Sequence, residues 1–389
     1  MDLFSDDIRR NPYPIYAQIR ALSPIFKIPP PFDAWGIFDY DGVKRALSDQ
    51  ENFSSRVPAP RNWFIFFDPP RHTKLRAIIS KAFTPRMISG LENFIRTLSR
   101  QLLDEALSAG QNQLDLATDY SIPLPMKVIS HMIGIPGSDW AQFKSWSDTI
   151  LKMSYTRLGK KEENDRILND FISVSAIMND YLTTMITERK KKPTDDLLTK
   201  LIEAEVDGQH LTQEEILGFF QLLVVGGQET TTNLINNAII CLLDHPTQLA
   251  LLRSNMNLLE SAIEEVLRFR APLQWMMRTP TRPIEMHGQT LLPGQLILPV
   301  IGAANRDPKH FDRPEEFDIT RHPNDHIAFG HGPHFCLGSA LARMEARIAL
   351  SDLLTCLSHF EYASPAPWQP RQALHVHGPT NLPLHFQTS

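Results

Sequence analysis

One segment limits the possible folds more than any other. Thr212 opens a run of apolar and small residues that continues to Leu243 and is stopped by His245 and Pro246. Thr212 and Glu215 form the Thr-x-x-Glu pattern of a capping box, in which each side chain satisfies a backbone N–H left open at a helix start. At the far end, the proline lacks an N–H and cannot extend the helix. Roughly 30 residues at 1.5 Å each give a rod of about 45 Å. Such a rod crosses a globular protein from side to side, so its middle is buried. Yet the middle reads Gly226-Gly227-Gln228-Glu229-Thr230-Thr231. Each glycine costs a helix interior about 1 kcal/mol relative to alanine. A pair is tolerated where something packs on the backbone or where the helix kinks.

The remaining pattern is arranged around this rod. From Pro70 to Leu243 the chain is mostly helical in pattern, and a last long helix is predicted over residues 339–357. Residues 35–38 resemble a strand. Short apolar runs around Gly288 and Pro293-Gly294 predict a small β-hairpin region over 284–300. A loop rich in Asp, Pro and Phe spans 305–324. No repeat, linker or shift of charge divides the 389 residues. The expectation is a mainly α fold with a small β component, built as one domain over residues 1–389.

Charge and targeting signals narrow the function. A formal net charge of -5 argues against a nucleic-acid partner. The basic run at 189–192 reads as a solvated helix end. The first ten residues are acidic and polar, with no apolar core of a signal peptide. No run of about 18 uncharged apolar residues occurs, so no membrane partner is expected. Three cysteines, Cys241, Cys336 and Cys356, cannot build a disulfide framework. The expected compartment is the reducing cytoplasm. Cys241 and Cys356 sit on helical patterns and read as inert thiols.

Cys336 differs from the other two. It lies in Phe329-Gly-His-Gly-Pro-His-Phe-Cys336-Leu-Gly338, and a helix begins just after it. Glycines let a backbone approach a flat ligand closely. The open amides at the next helix start point back toward the sulfur and favour a thiolate. A haem iron needs one such axial ligand, and thiolate ligation favours O–O cleavage. A buried structural cysteine is the competing reading. Zinc is a third, with His331 and His334 as partial ligands, but no second cysteine is near and zinc takes four ligands.

The segment matches the haem-binding loop of the cytochrome P-450 family, Phe-Gly-x-Gly-x-His-x-Cys-x-Gly, at every fixed position. Three further motifs follow in order, so the resemblance covers nearly the whole chain. Glu265-Val-Leu-Arg268 is similar to the family's Glu-x-x-Arg motif, whose spacing puts both side chains on one helix face; Arg321 is its expected third partner. Glu229-Thr230 resembles the family's acid–alcohol pair, which implies that Thr230 holds dioxygen or a water and that Glu229 relays protons. His72 and Arg76 match the His-x-x-x-Arg pair that binds haem propionates. Arg278 and His334 stand where the family places further propionate partners. Phe329, Gly338 and Gly226 are implied haem contacts, with Cys336 as the iron ligand.

The resemblance therefore implies the cytochrome P-450 fold, with the long helix crossing the haem face and heme b (iron protoporphyrin IX) as cofactor. It implies insertion of one atom of dioxygen into a small apolar organic substrate. The chain leaves no room for a flavin or iron–sulfur domain. Electrons would come from a ferredoxin and its NAD(P)H-dependent reductase, with Arg71, Lys74, Arg343 and Arg347 as a basic docking face. A peroxide-using relative would lack Glu229-Thr230, whereas a haem sensor or carrier would need no proton relay. For the substrate pocket, the expected lining is Trp63, Phe64, Phe66 and Phe67, then Leu273, Gln274 and Trp275, then residues 378–380. His245, His375 and His377 read as ordinary surface or core histidines.

Overall fold

The computed structural model describes residues 5–30, 32–56, 63–108, 112–152, 161–364 and 368–388. Residues 57–62, just before Trp63, lie outside this set. The capping box forms: Glu215 N donates to Thr212 Oγ1 at 3.2 Å, and Thr212 N donates to Glu215 Oε2 at 3.0 Å. From there the long helix runs as two α-helical halves, Gln213–Leu223 and Glu229–Asp244, joined by a π-helical turn over Val224–Gln228. The glycine pair lies inside that turn. Both uses foreseen for it occur, because the ladder loosens there and a Cβ on Gly227 would stand 2.9 Å from Ile129 Cδ1.

The second half of the rod is buried along almost its whole length. It packs on the terminal helix Ser339–Cys356, on Leu259–Phe269 and on a π-helical turn over Leu116–Ser121. A helix of 31 residues, Lys161–Lys191, was not singled out by the sequence; its 189–192 end includes Arg189, which is paired to Asp196 at 2.6 Å. Among the described residues, no helix is long and apolar enough to cross a membrane.

The β component is small, and one expectation needs correction. Only Ile284–Met286 and Gln289–Leu291 form the hairpin, turning through His287 and Gly288, both at positive φ as a two-residue hairpin turn requires. The strand Leu296–Pro299 leaves it. Gly294, at φ +86°, redirects the chain, and the strand pairs in parallel with Ala34–Ile37, whose other edge pairs antiparallel with Ile25–Ile28. A second sheet, Leu357–Tyr362 with Pro383–Thr388 and Gln113–Asp115, starts where the terminal helix stops.

Candidate active site

The cysteine loop is shaped by its backbone. Cys336 N donates to the Phe329 carbonyl at 2.8 Å, closing the loop on itself. Gly330 and Gly332 both adopt positive φ, +77° and +73°. At Gly332 a side chain is excluded twice over, because a Cβ there would lie 2.8 Å from Ser48 Cα. Gly338 caps the terminal helix, and its backbone amide favours the thiolate form of Cys336. Burial pushes the thiol up, while that amide, then Arg76 and Arg343, pull it down. Phe329 lies under the Arg343 guanidinium at 4.4 Å. Among the described residues, no three His, Cys, Asp or Glu side chains converge as a metal cage.

Beside the loop, four residues from distant segments meet. The His72 and His334 rings stack with centroids 3.8 Å apart. His334 Nε2 lies 3.1 Å from Ser55 Oγ. Arg76 donates from Nη2 to the Phe335 carbonyl at 2.6 Å. Arg278 is buried, and its guanidinium has one hydrogen bond among the described residues, from Nη1 to the Met277 carbonyl at 2.8 Å. Both ring nitrogens of His72 are buried without a hydrogen-bond partner among the described residues. Desolvation, then the Arg76 charge, holds His72 down at about 4. Burial, then His72, Arg278 and Arg76, holds His334 down at about 3. Burial lowers Arg278 to about 10, only partly offset by Asp68. That carboxylate is already engaged by the Ser54 hydroxyl and the Ser55 amide. The four residues form a donor set, two of them (His72 and Arg278) buried, with too little negative charge for it.

Behind the loop stands an ion network whose central pair is fully buried. Arg268 donates twice to Glu265, at 2.8 Å each, and also to the carbonyls of Asn305, Pro314 and Glu316. Arg321 Nε reaches Glu265 Oε1 at 3.2 Å, as expected, and the Asp318 amide donates to the same oxygen at 3.0 Å. Neither Glu265 nor Arg268 has any exposed surface. Further along the terminal helix, burial alone pushes Glu345 up to about 8, and its Oε2 has no partner among the described residues.

Gly226, Glu229 and Thr230 form a second group, on the long helix. Around Gly226 the space is open, with no atom within 4 Å of a Cβ built there. Thr230 Oγ1 donates back to the Gly226 carbonyl, one turn earlier. The Glu229 side chain is 1% exposed, and its Oε1 lies 3.6 Å from Nη1 of Arg371. No sequence motif pointed to Arg371, because it lies 142 positions away in a segment without regular structure. The histidines treated as ordinary are structural: His377 is buried between Tyr13 Oη (3.3 Å) and the Arg10 carbonyl (3.1 Å).

Several lining expectations change. Trp63 and Phe64 are core residues. Trp63 Nε1 donates to Gln221 Oε1 at 3.1 Å, and Phe64 packs against Phe219 and His72, so both tie this segment to the long helix. Gln274 and Trp275 turn to a separate apolar cavity of about 150 Å³, walled by Ile15, Ile19, Phe26 and Phe38. Gln274 is drawn there because its Nε2 donates to the Ala271 carbonyl at 2.7 Å. The basic docking face also changes. Arg343 is held by Glu264 at 2.6 and 2.7 Å, Arg347 by Glu92 at 3.2 Å, and Arg71 lies 3.5 Å from Glu215. Paired cations add little to a steering field, and of the four only the exposed Lys74 has no acid partner among the described residues.

Comparisons with known proteins agree with this architecture. The family model described as Cytochrome P450 matches residues 31–379. A putative cytochrome P450, YjiB of Bacillus subtilis (strain 168), is 41% identical over 366 residues, covering 92% of this chain and 90% of that protein. The biotin biosynthesis cytochrome P450 of the same organism is 34% identical over 398 residues, covering 98% of each. The crystal structure of CYP109E1 from Bacillus megaterium in complex with corticosterone superposes with a TM-score of 0.89 at 35% identity, covering 97% of this chain and 99% of that one. The chain has the cytochrome P450 fold, belongs to the cytochrome P450 family, and is a haem-dependent monooxygenase, an oxidoreductase.

Proposed function

We propose that the chain uses heme b (iron protoporphyrin IX), with Cys336 as its thiolate ligand, to insert one atom of dioxygen into an apolar organic substrate. The observation that carries this is the donor cage. His72, Arg76, Arg278 and His334 converge beside the cysteine loop with both His72 nitrogens unsatisfied and Arg278 almost without acceptors. Buried donors in that state call for anionic acceptors, and a porphyrin bearing two carboxylates supplies them. The loop supplies the rest of the fit: one sulfur, a Gly338 amide that favours its thiolate, and glycines at positive φ that let the backbone come close.

When bound, the iron porphyrin supplies the binding and reductive splitting of dioxygen and the oxidation of substrate. The protein holds and protects it. Cys336 ligates, and Arg76, Arg278, His72 and His334 bind the carboxylates. Phe329, Gly338 and Gly226 give the close contacts. On the long helix, Thr230 holds the proton-donating hydroxyl and Glu229 carries protons toward it. Electrons come from separate proteins, a ferredoxin and its NAD(P)H-dependent reductase. The reading also places residues 1–389 in one catalytic domain working in the cytoplasm.

A carbon monoxide difference spectrum of the reduced protein tests the ligand. A thiolate-type Soret band is expected, and a histidine-type band overturns the assignment. A spectral titration then tests the substrate class. Because one similar structure holds corticosterone and another a hexadec-9Z-enoic acid ligated acyl carrier protein, steroids and long-chain fatty acids are the first probes.

A further inference from the structure

We infer that Arg371 is the positioning residue of the proton relay, clamping Glu229 so that its carboxylate stands at one fixed place beside Thr230; the inference rests on the relay role proposed above. Arg371 is held on both sides. Its backbone amide donates to the Gly378 carbonyl at 3.0 Å, and an isolated bridge pairs Pro370 with Pro379. The rest of that segment is sewn to the stretch after Phe269: Gln274 N donates to the His375 carbonyl and His377 N to the Pro272 carbonyl, each at 2.7 Å. It is also sewn to the long helix, where Asn237 Nδ2 donates to the His377 carbonyl at 2.9 Å.

The guanidinium is thus delivered by a fixed loop, not by a mobile surface side chain, and it is 10% exposed. It meets two residues on one face of the helix, one turn apart. Nη1 lies 3.6 Å from Glu229 Oε1, and Nε donates to Asn233 Oδ1 at 3.2 Å. Gly378 closes the arrangement, because a Cβ there would fall 2.3 Å from Asn233 Oδ1. A buried carboxylate without such a cation is costly. The ion pair also gives that carboxylate a direction. A displacement of about 1 Å at a reacting group is worth on the order of 100-fold in rate.

The test uses the haem-loaded enzyme with its redox partners and a substrate found by titration. Arg371→Met is expected to lower turnover about 10- to 100-fold, to divert reduced oxygen to hydrogen peroxide, and to change the solvent deuterium isotope effect. Arg371→Lys should recover part of the coupling. Thermal unfolding of Arg371→Met, Glu229→Gln and the double variant gives a readout independent of turnover, and the two single effects should not add. If Arg371→Met lowers only the unfolding temperature, with peroxide yield and isotope effect unchanged, Arg371 is merely structural and the inference fails. If Glu229→Gln itself leaves both unchanged, it is the relay role of Glu229 that fails.

Discussion

The cysteine side and the long-helix side of this site solve different problems. Around Cys336 the geometry is local. An eight-residue stretch closes on itself through the Cys336–Phe329 hydrogen bond, and the Glu265–Arg268 pair stands behind it without exposed surface, joined by Arg321. Around Glu229 the helix gives up regular α geometry over Val224–Gln228, and the acid is held by a residue from the far end of the chain. One side is a rigid mount. The other is a loosened rod whose polar groups depend on long-range support. Changes on the first side should therefore cost stability and cofactor, whereas changes on the second should cost chemistry while leaving the fold intact.

The largest effect should come from the mount. Arg268→Ala strips the buried Glu265 carboxylate of its bidentate partner and takes the guanidinium from the Asn305 and Pro314 carbonyls, a loss of about 3–5 kcal/mol. Haem content and thermal unfolding of the purified variant measure it; a variant that keeps full haem and unfolds normally would erase the contrast. Next comes the rod. Thr230→Ala should lower turnover about 100-fold, with unfolding temperature and substrate affinity close to wild type, and Thr230→Ser should restore much of it. A Thr230→Ala protein that unfolds early instead would make the two sides alike.

A third measurement uses pH. Burial raises Glu345 from 4.5 to about 8. The folded chain keeps this proton over that window while the unfolded chain releases it, so stability falls as pH rises from about 4.5 to 8. Glu345→Gln removes the loss. Its unfolding-temperature advantage over wild type should therefore grow between pH 5 and pH 8, and an advantage independent of pH would refute the assignment. The smallest effect is expected at Trp63→Phe, which removes the hydrogen bond to Gln221 and should cost about 1 kcal/mol in denaturant unfolding.

The same contrast governs how much could be read from the sequence. The cysteine loop, the Glu265/Arg268 pair and the capped start of the long helix are local, with spacing and residue type carrying their geometry. Arg321 was reachable too, through its motif. Arg371 was not, since nothing near it in sequence marks a partner for Glu229. Gln274 and Trp275 were expected in the substrate pocket from the resemblance, which says nothing of the cavity beside Phe26 and Phe38 that they line. The cations Arg71, Arg343 and Arg347 looked free only because Glu215, Glu264 and Glu92 are remote in sequence. Likewise the strand at 296–299 seemed part of a hairpin until its pairing with residues 34–37 was seen.

The π turn has one more consequence. It fits one residue more into a turn than an α-helix does, so the two halves of the rod differ in rotational phase by about 100°. Gln221, bonded to Trp63, belongs to the first half, and Glu229 and Thr230 belong to the second. Each half can thus keep its own face against its own neighbours. Drawing Val224–Gln228 into regular α geometry with no residue removed would give an unbroken α-helix, but only by swinging one half about its axis. Either Gln221 would leave Trp63, or Glu229 would be turned away from Arg371. In this chain the spacing between those side chains is an angular setting as much as a length.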